Sequence, residues 1–275
     1  TRVYGFLYAI SGCSTDGASI KADDDCTGGD LPVYIEPPED SESEEGSGFT
    51  TSANVALTTD YRFRGVSLSG GDPAIQGGFD VEHDSGFYVG TWASSIKGGP
   101  SYGDLEFDIY AGWSGSLSDA VSVDVGVLYY IYPTEDLGLD TDYIEPYASI
   151  SANLGPAEAT LGVAYAPEQD SLGGDDNLYI YTDVGFGIAD SPFSVTGHLG
   201  YTDGALAPPL LAGAADDTGL DWALGLAVAQ GNFEVGVSYV GVEGPSVDGF
   251  TLRFSYQDNF LGFKELIVEQ LRGTG

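Results

Sequence analysis

Few side chains in this chain are suited to covalent chemistry. The two histidines are His83, at a tight turn, and His198, which shares a strand face with Thr196 and Ser194. A nucleophilic serine needs a base and an acid brought together from separate elements, and a same-strand spacing of two does not supply that arrangement. The metalloprotease pattern HExxH, paired CxxC cysteines and glycine-rich phosphate loops are absent. Each histidine therefore reads as structural, and neither a catalytic residue nor an enzyme activity is expected. Calcium chemistry needs several carboxylate and carbonyl oxygens. Asp136, Asp140 and Asp142 fall in one loop-like stretch, Asp170, Asp175 and Asp176 in a second, and Asp216 and Asp217 in a third. None has the spacing and glycine of an EF-hand, so they read as solvated loop charge with Ca²⁺ as a weak option, and no cofactor is assigned. Cys13 and Cys26 are too few for a metal site. A disulfide closing this short loop suits an oxidising compartment and would contribute about 3 kcal/mol.

The chemistry that remains is electrostatic. Taken by alternation, one face of the strand-like segments carries Asp60, Arg62, Arg64, Asp80, Glu82, Glu106, Asp108, Asp124, Glu145, Glu158, Asp183, Asp221, Glu234 and Arg253, eleven acids against three arginines. Neighbours on that face include Gly78, Gly126, Gly162, Gly185, Gly187, Gly200, Gly225 and Gly236, which leave room for water. A narrow space lined this way lowers the energy of a cation and raises that of an anion. Asp60, Asp80, Glu82, Glu106, Asp108 and Asp124 lie on adjacent segments and are the first choice for its lining.

Such a face must be held by strands. In SANVALTTDYRFRG, Val55, Leu57, Tyr61 and Phe63 alternate with polar and ionic residues, the period of a strand between two media. Twelve such segments start near residues 52, 74, 87, 104, 120, 142, 157, 177, 192, 219, 232 and 248. Their joints alternate between tight turns (HDSG, SLSD, NLGP, ADSP, QGN) and longer loops. An even strand count with short turns at one end and long loops at the other predicts an all-β fold, a closed antiparallel transmembrane barrel. A Greek-key sandwich would not keep that rhythm.

Aromatic residues on the apolar face fall into two rings. Tyr61, Tyr129, Tyr165, Tyr201 and Tyr239 lie toward the long loops, and Phe87, Trp113, Phe186, Phe193 and Phe233 toward the tight turns. Aromatic girdles at two bilayer interfaces have this spacing, with Val, Leu, Ile and Ala between them. No run of eighteen apolar residues occurs, so no membrane helix is expected. Forty-three acidic and eight basic residues give a net charge of −35, which disfavours nucleic acid and anionic lipid as partners.

The run TTDYRFRGVSLSGGDPAIQGG followed by GFYVGTWAS resembles the opening of the TorF-type porin family of proteobacterial outer-membrane proteins, over roughly residues 50–97. The resemblance implies an outer-membrane barrel and brings no catalytic residues. The expected organisation is an N-terminal segment over residues 1–36 with the Cys13–Cys26 loop, an acidic flexible linker over 37–48, the barrel over 49–258 and a C-terminal tail over 259–275 with helical spacing of its apolar residues. The leader needed for export is expected to have been removed before residue 1. The expected function is passive diffusion of small cationic or neutral solutes, with outer-membrane lipid around the barrel and homo-oligomerisation open. The rival is a non-transporting barrel whose lumen is sealed by its own charges.

Overall fold

The structure is a computed structural model that describes residues 48–244 and 248–260. The expected disulfide, the linker up to residue 47 and the tail from residue 261 lie outside the described residues.

The described residues form fourteen strands: β1 (Phe49–Thr58), β2 (Arg62–Phe63), β3 (Val66–Ser67), β4 (Ala74–His83), β5 (Phe87–Ser95), β6 (Leu105–Ser118), β7 (Val121–Ile131), β8 (Tyr143–Asn153), β9 (Ala157–Gln169), β10 (Asp175–Gly187), β11 (Phe193–Gly204), β12 (Thr218–Gln230), β13 (Phe233–Val242) and β14 (Gly249–Phe260). All but β2 and β3 form one closed antiparallel barrel in which each strand pairs with its chain neighbours and β1 closes on β14. Val55 lies opposite Gly77 on one side and Tyr256 on the other, so the seam is a full ladder. Twelve strands therefore form the wall, and each begins within about three residues of the position expected from alternation.

Closure matters because the polarity of this molecule is inverted. The residues removed from solvent are mainly acids, small polar residues and tyrosines, including Glu106 and Asp221 at 1% and 0% exposure. Those left outside are Val, Leu, Ile and Phe, among them Leu57, Ile75, Val184, Leu224 and Phe254. An apolar belt of this extent is untenable in water and suits hydrocarbon, where only a sheet without free edges satisfies its backbone.

Turn chemistry follows the sequence. At the β4–β5 turn Gly86 has φ 92°, and a Cβ there would lie 2.1 Å from the carbonyl oxygen of Ser114. The apolar loop after β11 forms a short helix, α1 (Pro208–Leu211), whose prolines are buried and pack where Gly219 and Gly244 leave space.

The largest departure from simple alternation follows β1. Continued as a strand, residues 59–64 would put Tyr61 outside, but the chain leaves the wall at Thr58. Thr58 Oγ1 donates to the carbonyl of Asp60 at 3.0 Å, the amide of Tyr61 donates to Ser69 Oγ at 2.9 Å, and β2 and β3 pair as a small hairpin. The positive φ of Arg64 (45°) and Gly65 (81°) makes its tip. The hairpin turns into the barrel, so Tyr61 is a buried lumen residue and not part of the outer girdle.

Candidate functional site in the barrel lumen

Alternation along each strand fixes which side chains enter the lumen, but their height and their neighbours decide what they do there. Toward the tight turns, Glu82 and Glu158 are solvent-exposed on the inner face, with small residues such as Ser122, Gly185 and Gly187 nearby. Glu234 is half-buried there and within electrostatic reach of Arg253. Both exposed carboxyl groups are accessible to water.

Higher up, tyrosines fill the space that the inward glycines leave. The rings of Tyr110, Tyr88, Tyr147, Tyr181 and Tyr179 lie across Gly90, Gly112, Gly126, Gly162 and Gly200 respectively, each so close that a Cβ would fall within 2.6 Å of the ring or its hydroxyl. Glycine on one strand thus seats an aromatic from its neighbour, a cross-strand pairing that stiffens a barrel wall. The expectation that these glycines leave open water holds for Gly185, which has nothing within 4 Å of an added Cβ, and fails for Gly126, Gly162 and Gly200. The tyrosine hydroxyls satisfy wall acids: Tyr110 donates to Asp80, and Tyr88 donates to Asp124 Oδ1 at 2.6 Å and meets the Tyr147 hydroxyl.

A second buried group spans β10, β11 and β12. His198 Nδ1 is 2.5 Å from Asp183 Oδ1, and its Nε2 is 3.0 Å from Asp221 Oδ1 and 2.8 Å from the Tyr179 hydroxyl. Both ring nitrogens thus face a carboxylate, and the arrangement is an acid-bracketed imidazole.

The first loop, residues 59–73, occupies the long-loop half of the lumen. Asp60 holds it together by accepting from Arg62 Nε at 2.7 Å, Ser67 Oγ at 2.5 Å and Ser69 Oγ at 3.1 Å. Tyr61 Oη donates to Glu106 Oε1 on β6 at 2.7 Å, and its ring meets Trp92 edge-on. Arg64 reaches β8, where Nη2 donates to Glu145 Oε1 at 2.6 Å, and lies over the Tyr179 ring of β10. These two strands flank β9, the strand facing β1 across the ring, so the hairpin bridges the lumen. A Cβ at Gly65 would lie 2.9 Å from Val242 Cβ on β13, so the tip fits only as glycine.

Of the acids named from the sequence, Asp60, Asp80, Glu106, Asp108, Asp124, Glu145, Asp183 and Asp221 are buried, while Glu82 and Glu158 face water. Tyr129, Tyr165, Tyr201 and Tyr239 lie on the outer surface toward the long loops, and three of their hydroxyls donate to loop acids: Tyr129 to Asp142 at 3.4 Å, Tyr165 to Asp176 at 2.8 Å and Tyr239 to Asp248 at 2.7 Å. Phe87, Trp113, Phe186, Phe193 and Phe233 lie on the same surface toward the tight turns, with Trp113 Nε1 donating to the carbonyl of Ser85 at 2.9 Å. The loop acids considered for calcium do not converge: among the described residues, no group of three His, Cys, Asp or Glu side chains is placed to hold a metal ion. The lumen tyrosines were the residues missed. Their signal was present, since Tyr179 and Tyr181 share the parity of Asp183, and Tyr143 and Tyr147 that of Glu145.

Comparison with known proteins adds two findings. A family model described as "Bacterial protein of unknown function (Gcw_chp)" matches residues 42–264. Among solved structures, KdgM porin superposes with a TM-score of 0.51 at 10% identity, over 77% of this chain and 99% of KdgM. NanC porin gives 0.50 at 11% identity, over 77% and 100%. KdgM porin in complex with disordered oligogalacturonate gives 0.50 at 10%, over 77% and 99%. At these identities the likeness is one of fold. No curated protein matches the chain by sequence.

Proposed function

We propose, from the premise that this chain belongs to the Gcw_chp family of bacterial proteins of unknown function, that it is an outer-membrane channel for passive diffusion of small cationic or neutral solutes. The observation that carries the reading is a closed ring of twelve strands with hydrocarbon-compatible residues outside and ionisable residues inside. The resemblance of residues 50–97 to TorF-type porins supports it. In the usual orientation of such barrels the tight turns face the periplasm and the long loops the exterior. Solutes then meet Glu82 and Glu158 in the periplasmic vestibule and the first loop at the outer constriction. Carboxylates outnumber guanidiniums throughout the lumen, the wrong sign for an anionic solute such as the oligogalacturonate found with KdgM.

Planar-bilayer recordings under a salt gradient test this. Glu82→Lys and Glu158→Lys are expected to shift the reversal potential toward anions; an unchanged potential removes both from the pathway. A second reading, a sealed and non-transporting barrel, draws on the near-complete burial of Glu106 and Asp221. Absence of conductance, even after deletion of the first loop, would favour it.

A further inference from the structure

Arg64 sits in the lumen as a bound guanidinium would. Glu145 takes one edge at 2.6 Å, and the guanidinium carbon lies 4.2 Å from the Tyr179 ring centroid and 4.7 Å from that of Phe63. A carboxylate on the edge and an aromatic face on the plane form a recognised way of holding guanidinium groups. Glu145 and Tyr179 belong to the barrel wall, whereas Arg64 and Phe63 belong to the loop, so the wall half of the site is complete without its occupant.

That wall half has unmet demand. Asp108 is 2% exposed, its Oδ1 has no hydrogen-bond partner, and it lies within electrostatic reach of Glu106 and Glu145. Arg64 meets the carboxyl group of Glu145, which in turn lies within electrostatic reach of Asp108, as Glu106 does. Burying several carboxyl groups together is costly unless protons or further positive charge arrive. The occupant is also imperfectly held: Arg64 Nη1 has no partner, and the residue keeps a φ of 45°, a region that non-glycine residues seldom adopt. A small ligand that brings the same group without the backbone constraint can compete with it.

We propose that Arg64 is a built-in competitor for the solute, and that Glu145, Tyr179 and Asp108 form a site for the guanidinium group of a small organic cation that displaces the first loop. The identity of the solute class rests on the channel reading; the binding site itself does not.

The test uses the full chain in detergent and methylguanidinium chloride as probe, titrated calorimetrically at constant ionic strength. Arg64→Ala and Arg64→Gln are expected to bind methylguanidinium at least tenfold more tightly than the wild type. Adding Glu145→Gln to either is expected to reverse at least tenfold of that gain, and sodium is not expected to compete. Two arginine replacements guard against one failing to fold, with strand circular dichroism and heat-modifiable gel mobility as the check. No saturable binding in folded variants, or binding indifferent to Glu145→Gln, overturns the proposal. If neither replacement folds, Arg64 is a structural strut and the proposal falls as well. Bilayer conductance of the same variants separates the two readings. Binding without conductance keeps the site and sinks the channel, whereas conductance without binding does the reverse.

Discussion

Gly162 and Gly185 both face the lumen on adjacent strands, yet alanine should act on them in opposite directions. A Cβ at Gly162 would lie 2.1 Å from Tyr181 Cζ and 2.3 Å from its hydroxyl, whereas one at Gly185 meets nothing within 4 Å. Tyr181 cannot simply swing aside. It is buried, its ring stacks on Tyr179 at 5.4 Å and on His198 at 6.1 Å, and His198 is fixed by Asp183 and Asp221. Overpacking of this kind costs about 1–3 kcal/mol. At Gly185 the same change restricts the unfolded chain in an extended strand and is expected to stabilise by about 0.4–1 kcal/mol. The two variants should therefore separate by roughly 1.4–4 kcal/mol, the sum of those ranges. Urea titration of protein folded into lipid vesicles, followed by tryptophan fluorescence, reads this as a midpoint shift at constant slope. Tyr181→Leu in the Gly162→Ala background should recover part of the loss, because it removes the atoms in conflict. Equal stability of the two alanine variants, or no recovery with Tyr181→Leu, would refute the claim that aromatic filling, rather than glycine content, sets the free volume of the lumen.

Two further outcomes follow from the barrel's two faces. Leu224→Arg, in the middle of the outer face of β12, should cost about 2–4 kcal/mol of insertion free energy, while Leu117→Arg, equally exposed but beside the β6–β7 turn, should cost about 0–1 kcal/mol. The folded fraction in vesicles, read by heat-modifiable mobility, distinguishes this depth dependence from a uniform penalty. Inside, Tyr61→Phe leaves the buried Glu106 carboxylate without its 2.7 Å donor and should cost about 1.5–3 kcal/mol in urea midpoint. Tyr129→Phe, whose exposed hydroxyl meets Asp142 at 3.4 Å, should change it by no more than about 0.5 kcal/mol.

The wall was legible in the sequence because strand parity and turn chemistry are local. NLGP or QGN between two alternating segments announces a hairpin, and Val123, Val125 and Val127 place themselves on one face of β7 without knowledge of any other strand. Parity also sent Asp108, Glu145, Asp183 and Asp221 inward. It could not tell that Glu82 and Glu158 would be wet while Glu106 and Asp221 would be dry, because parity gives the side of the wall and not the height along it.

Height alone does not complete the account, since occupancy depends on register between strands. Gly162 is filled because Tyr181 of β10 stands opposite it, and Gly185 is empty because its opposite numbers are Glu158 and Thr196. The first loop adds a longer-range dependence. Tyr61 continues the outward parity of Val55 and Leu57, and only the hydrogen bonds of Thr58, Ser67 and Ser69 around Asp60, with glycine at position 65, turn it inward. The loop is built from local hydrogen bonds and is seated on distant strands by side-chain contacts to Glu106, Glu145, Tyr179 and Tyr130, not by a ladder. Elements anchored in this way open at a lower free energy than the wall to which they attach. In a barrel whose ladders are continuous, this loop is accordingly the part whose displacement would change what the lumen admits.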